Sequence, residues 1–207
     1  GVGVIPRIAI LISGRGSNMV ALAESVCSGV LAGCCEIAAV ISSRPGVPGL
    51  AKAQELGLPI VALDARALGK EAYDAALLLA LEQARADVVV LAGYLRIVSP
   101  RVVAKYRGRI LNIHPADTKL HQGLHGYEWA FANELVATKI TVHLVDEGLD
   151  TGPVLAQREV DLRGTGILEE VERRGLAVEH RLYPEALKTF LTTNYPNFAN
   201  GTPSCES

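Results

Sequence analysis

Aromatic residues make up only 5% of this 207-residue chain, and there is one tryptophan and one methionine, so the interior must be filled mainly by aliphatic side chains. Cysteine is scarce as well. Cys27, Cys34, Cys35 and Cys205 form no Cys-x-x-Cys pair and no regular spacing, and adjacent Cys34 and Cys35 are awkwardly placed to bridge each other. All four read as reduced thiols of a cytoplasmic protein. Long apolar runs are missing: stretches such as Val88–Ala92 fall far short of the ~20 residues that a membrane helix needs. The N-terminus lacks the basic flank and apolar core of a signal peptide. Charge of one sign is missing too. A net charge of −2 and a pI near 6.2 give no long-range attraction for nucleic acid or an anionic membrane. The expected partner is a small molecule whose anionic part is held by local groups, acting on a monomer or homodimer.

What is present is a large aliphatic content, 49% hydrophobic with a mean hydropathy of +0.26, enough for one substantial core. Apolar β-branched runs alternate with helical-period segments. Strands are predicted over 8–12, 37–41, 60–61 and 88–91, and helices over 19–30, 50–55 and 71–85. That alternation predicts βαβ units and an open, mostly parallel α/β sheet. Strands as uniformly apolar as Val88–Leu91 require helices on both faces. Downstream the pattern predicts a strand over 109–113, a loop over 115–125, a helix over 127–133, and strands over 140–145 and 154–160. A last helical region over 167–190 should be divided at Gly175 and Pro184. Residues 1–190 form the expected domain and 191–207 a loose tail.

Two segments carry the chemistry. Ile110-Leu111-Asn112-Ile113-His114-Pro115 reads as a strand whose alternation puts Asn112 and His114 on one face where the strand ends. Thr141–Pro153 reads as a strand running into a Gly/Asp-rich turn that contains Asp150. Open α/β sheets bind ligands at such strand ends, so Asn112, His114 and Asp150 form the candidate catalytic trio, with His143 orienting a neighbouring loop. Ser13-Gly14-Arg15-Gly16-Ser17-Asn18 lies between the first strand and first helix, where free N–H groups and the helix dipole favour an anion. It reads equally as an ordinary βα turn capped by Ser17. It is neither a dinucleotide fingerprint nor a Walker sequence. His121 and His125 are four apart, but the glycines around them oppose a helix, and no metal is expected. Tyr127, Trp129 and Phe131 read as packing residues. Glu169–Arg174 reads as a solvated helix face.

Together with Leu91–Pro100 and Val178-Glu179-His180-Arg181-Leu182-Tyr183-Pro184, these motifs resemble, in order and spacing from about residue 7 to 190, the folate-dependent phosphoribosylglycinamide formyltransferases of purine biosynthesis. The resemblance implies transfer of the formyl group of 10-formyltetrahydrofolate to the glycinamide amine of 5-phosphoribosylglycinamide, catalysed by Asn112, His114 and Asp150. It implies that Arg15, Gly16, Ser17 and Asn18 hold the substrate phosphate, with Lys70 as a further basic residue near it, and that Glu179 holds the ribose hydroxyls. It also implies a folate pocket of Leu95, Arg96, Ile97 and Val98 on one wall and Val145, Asp146, Glu147, Gly148 and Asp150 on the other. Where the family continues His-Pro with Ser-Leu-Leu-Pro, this chain has Ala116-Asp117-Thr118-Lys119, so Asp117, Lys119 and His121 are candidates to contact a different amine. An amino-sugar nucleotide is the alternative acceptor. A non-catalytic folate- or nucleotide-binding module is a further alternative, opposed by the intact trio. The related tRNA formyltransferase and formyltetrahydrofolate deformylase carry added domains that this sequence does not show.

Overall fold

A computed structural model describes residues 5–196. Seven strands form one sheet in the order β3-β2-β1-β4-β5-β6-β7: β1 (Arg7–Ile12), β2 (Glu36–Ser42), β3 (Ile60–Ala62), β4 (Val88–Leu91), β5 (Ile110–His114), β6 (Ala137–Leu144) and β7 (Val154–Asp161). The first five pair in parallel, and β6 and β7 add antiparallel to β5 and to each other. The helices are α1 (Ser17–Ser28), α2 (Pro48–Glu55), α3 (Ala65–Leu68), α4 (Lys70–Gln83), α5 (Pro100–Lys105), α6 (Gly126–Ala132) and α7 (Leu168–Asn194).

The uniformly apolar strands sort their side chains by alternation. Ile8, Ile10, Ile12, Val88 and Val90 pack with Met19 and Leu22 of α1 and Leu182, Tyr183 and Leu187 of α7. Ala9, Leu11, Val89 and Leu91 pack on the other face with Tyr73, Leu77 and Leu81 of α4 and Val102 and Val103 of α5. The sheet is thus covered on both sides, as continuous apolar strands demand. The strand order reverses at β1, between β2 and β4, so the crevice for a ligand opens at the carboxyl ends of β1, β4 and β5.

Three expectations are corrected. α7 is one helix from Leu168 to Asn194, with Pro184 inside it, where a division had been predicted. An internal proline costs ~3 kcal/mol or more through its missing N–H and its ring, but Leu182, Tyr183, Pro184, Ala186, Leu187 and Phe190 are all buried on this helix, and packing overrides the local penalty. The helix also runs past Leu191 to Asn194, into the first residues of the expected tail, and residues from 197 onward lie outside the described residues. Cys27 and Cys35 are free thiols, whereas Cys34 is disulfide-bonded. The adjacency of Cys34 and Cys35 bears only on a bridge between those two, and Cys205 lies outside the described residues. Among the described residues, no helix is long and apolar enough to cross a membrane.

Candidate active site

The trio assembles where three elements end. Alternation along β5 sends Asn112 and His114 to the same side, and His114 is only 3% exposed. Antiparallel register sets His143 of β6 directly opposite Asn112, and the Asn112 Nδ2 lies 3.4 Å from His143 Nε2. Asp150 arrives from the β6–β7 turn with φ of 54°, a left-handed conformation that aspartate tolerates better than most residues. Its carboxylate bridges two imidazoles: Oδ2 is 3.4 Å from His114 Nδ1 and Oδ1 is 3.3 Å from His143 Nε2. His143 Nδ1 donates to the Leu144 carbonyl at 2.9 Å, which fixes the ring for both neighbours. The turn is shaped by close approach at Gly152, where a Cβ would fall 1.7 Å from the Leu144 carbonyl oxygen. Asp146 braces it, accepting from Gly148 N–H at 2.9 Å and from the Thr151 hydroxyl at 2.8 Å. Glu147 pairs with Arg107 on its outer side.

The loop between β5 and α6 closes over this centre. The Gly123 N–H donates to Asp150 Oδ2 at 2.7 Å, and His114 Nε2 is 2.8 Å from the His121 carbonyl oxygen. The His121 ring stacks between His114, with centroids 6.1 Å apart, and Trp129, 5.1 Å away, while its Nε2 meets the Leu124 carbonyl. Asp117 turns the loop internally, its carboxylate accepting from Lys119 N–H and its carbonyl from Leu120 and His121 N–H.

At the end of β1, Gly16 adopts φ of 75° and precedes α1, which has no side-chain cap. Its left-handed conformation and its approach to Gly49, 3.0 Å from a would-be Cβ, leave little room for another residue. The N–H groups of the first turn therefore stay available to an anion, and Ser17 does not act as the cap. Arg15 is exposed, and its carbonyl accepts from Lys52 Nζ at 3.1 Å. Asn18 is buried, and its Nδ2 donates to Glu179 of α7 at 2.9 Å. Ser13 joins this turn to the end of β4, since its hydroxyl accepts from Leu95 N–H at 2.9 Å. Beyond it Leu95 and Ile97 stand 59% and 81% exposed, an unusual display of apolar surface beside a crevice. Lys70, Tyr73, Tyr94, Leu95, Arg96, Ile97 and Val98 line one cavity there, with the Arg96 guanidinium 4.9 Å over the Tyr73 ring.

A sequence profile of the family described as formyl transferase matches residues 6–187. The chain belongs to that family. Phosphoribosylglycinamide formyltransferase of Escherichia coli (strain K12) is 36% identical over 185 residues, 89% of this chain and 86% of that protein. The trifunctional purine biosynthetic protein adenosine-3 of Drosophila melanogaster is 36% identical over 182 residues, 87% of this chain, which spans only 14% of that relative's length. Among solved structures, phosphoribosylglycinamide formyltransferase from Bacillus halodurans aligns with a TM-score of 0.86 at 39% identity, over 91% of this chain and 98% of that one. The Brucella melitensis phosphoribosylglycinamide formyltransferase gives 0.84 at 41% identity, over 91% and 96%.

Electrostatics separate the members of the candidate trio. Burial pushes the His114 imidazole below its ordinary range, opposed by the Asp150 charge and the His121 carbonyl. Burial works to raise the Asp150 carboxyl, but His143, the Gly123 N–H and His114 outweigh it and hold it below the usual carboxylate range. Not every residue singled out in the sequence gathers here. Lys70 lines the cavity of Arg96 and Ile97 at the start of α4. His121 and His125 take different partners, His125 lying 3.7 Å from Glu128 on the surface. Glu170 pairs with both Arg173 and Arg174 on the solvated start of α7. Sequence reading missed the Gly123 N–H altogether, named His121 only as a candidate contact for an amine, and took Tyr127 for packing, whereas the Tyr127 hydroxyl donates to Glu179. The Gly123 contact is a backbone donor, and Tyr127 and Glu179 lie 52 positions apart, so residue spacing carried no signal for either.

Proposed function

We propose that this chain transfers the formyl group of 10-formyltetrahydrofolate to the glycinamide amine of 5-phosphoribosylglycinamide in de novo purine biosynthesis, in the cytoplasm and without a metal. The observation that carries the reading is Asp150 set against His114, beside Asn112, at strand ends flanked by an uncapped helix start and an exposed apolar loop. The substrate phosphate sits at Gly16, Ser17 and Asn18, the ribose hydroxyls at Glu179, and the folate between Leu95–Val98 and the Val145–Asp150 turn.

The amine nitrogen attacks the formyl carbon, forming a C–N bond while the carbonyl oxygen becomes an alkoxide and the nitrogen an ammonium. Asn112 N–H and the Nε2–H of a protonated His114 are the donors for that oxygen. Asp150 holds the imidazole by charge-assisted contact. Directly or through a water, it passes the ammonium proton to the N10 nitrogen of the folate. The C–N10 bond then breaks, leaving tetrahydrofolate and the formylated amine. For His114 Nε2 to reach the formyl oxygen, it must leave the His121 carbonyl, so the loop following β5 moves within the catalytic cycle.

Folate turnover measured with a panel of amines tests the proposal. Phosphoribosylglycinamide should be the preferred acceptor. The dephosphorylated riboside should lose at least 10²-fold in kcat/KM, the scale of one or two charge-assisted hydrogen bonds at a helix start. Turnover confined to an amino-sugar nucleotide would overturn the acceptor assignment.

A further inference from the structure

Glu179 is only 5% exposed, and among the described residues it has no cationic partner. Its carboxylate is satisfied by two neutral donors, Asn18 Nδ2 from α1 on Oε1 and the Tyr127 hydroxyl from α6 on Oε2. The ring of Tyr127 reaches that position because α7 offers no side chain at Gly175, one turn before Glu179. A Cβ on Gly175 would lie 2.1 Å from Tyr127 Cε1 and 2.3 Å from its Cζ and hydroxyl oxygen. Asn18 Oδ1, beside the carboxylate, is buried with no hydrogen-bond partner. Buried polar atoms are almost always satisfied, so an orphaned acceptor next to a carboxylate marks a place for a ligand that brings hydroxyl hydrogens.

We propose that Tyr127 is a positioning residue of the acceptor site, holding the buried Glu179 carboxylate in place through its hydroxyl, and that Gly175 supplies the hollow that admits its ring. The inference rests on the acceptor reading above and adds to it the residue that makes Glu179 usable. A buried carboxylate with only two donors depends on both, because each removed donor leaves the charge less compensated. Burial pushes the Glu179 carboxyl above its ordinary range, and Tyr127 and Asn18 oppose that. The groups facing the carboxylate are Asn18, Tyr127 and Tyr183, with Glu172 acting on Tyr127. Loss of the tyrosine hydroxyl therefore lets the carboxyl take a proton at higher pH. Acceptor affinity is then lost earlier as pH falls.

The test compares wild type with Tyr127→Phe, which keeps the ring, over a range of pH. The expected result is an acceptor KM raised about tenfold at neutral pH, as for loss of a hydrogen bond to a charged group, and raised further on the acid side. The folate KM, kcat and thermal midpoint should stay within about twofold or a few degrees of wild type. Gly175→Ala, which displaces the ring, should raise the acceptor KM similarly. In a Glu179→Gln background the Tyr127→Phe effect should vanish. An unchanged acceptor KM in Tyr127→Phe, or equal loss for both substrates with a lowered thermal midpoint, overturns the inference while leaving the acceptor assignment standing. A wild type inactive on phosphoribosylglycinamide overturns both.

Discussion

His114 turns its Nε2 toward the His121 carbonyl oxygen, 2.8 Å away, so the imidazole proposed to meet the formyl oxygen is engaged by the loop that leaves its own strand. A carbonyl only accepts, which fixes the proton on Nε2. The nitrogen therefore already points its hydrogen outward, and what the substrate must displace is a backbone oxygen.

Asn112→Ala should lower kcat by roughly 10²–10³-fold with little change in either KM, because a donor to the developing oxyanion acts mainly in the transition state. The fold should survive, since Asn112 is only partly buried and its one side-chain hydrogen bond among the described residues is a long one to His143. Steady-state kinetics checks this; a variant that keeps more than about a third of wild-type kcat removes Asn112 from the mechanism.

Asp150→Asn keeps the shape of the side chain but removes its charge. Turnover should fall by roughly 10³-fold or more. With the upward pull on His114 gone, its titration should move to lower pH, and the alkaline decline of kcat should move with it. A pH–rate profile that coincides with wild type would show that the two residues do not work as a pair.

Folding stability should fall as the solution becomes more acid than about pH 6.5, the ordinary value for histidine. His114 is depressed in the folded protein, so below that pH the unfolded chain binds a proton that the native one refuses, and protonation favours unfolding. Thermal midpoints across about pH 5–8 should show a shallower acid decline for His114→Asn than for wild type. Parallel curves would mean that His114 is not a source of the slope.

Gly152→Ala should damage the site from a distance. Its new methyl would land 1.7 Å from the Leu144 carbonyl oxygen, so the turn must shift and carry Asp150 with it. The expectation is a fall in kcat/KM of at least tenfold, together with a destabilisation of about 1–3 kcal/mol seen in denaturant unfolding. Normal kinetics would show that the turn adjusts without moving Asp150.

The sheet was legible because its signals are local and agree with one another: Val88–Leu91 is apolar at every position, as a strand covered on two faces must be. That Asn112, His114 and Asp150 come together was legible because β5 alternation alone puts Asn112 beside His114, and a glycine-rich turn announced Asp150. The short helices at Ala65–Leu68 and Pro100–Lys105 escaped notice, being too brief to show a period. Pro184 misled because local propensity opposes a helix that tertiary burial enforces. Tyr127 passed for packing because its partner Glu179 is 52 positions away, and no pattern along the chain relates an α6 hydroxyl to an α7 carboxylate.

One contact has a bearing on biogenesis. The buried Tyr183 hydroxyl lies 2.7 Å from the Leu91 carbonyl oxygen and 3.2 Å from that of Leu111, one hydrogen serving both. These are the carbonyls just where β4 and β5 stop pairing, since Val90 opposite Leu111 is their last match. Helix α7 thus seals a seam opened by strands made some 92 and 72 residues earlier. During synthesis those strands must wait, apolar and half-covered, until α7 clears the ribosome. Closure of so long a loop is slow. A nascent chain stalled before Tyr183 should be a strong chaperone client and aggregation-prone, and only the face of the sheet that α7 covers should close late, the α4 and α5 face packing without it.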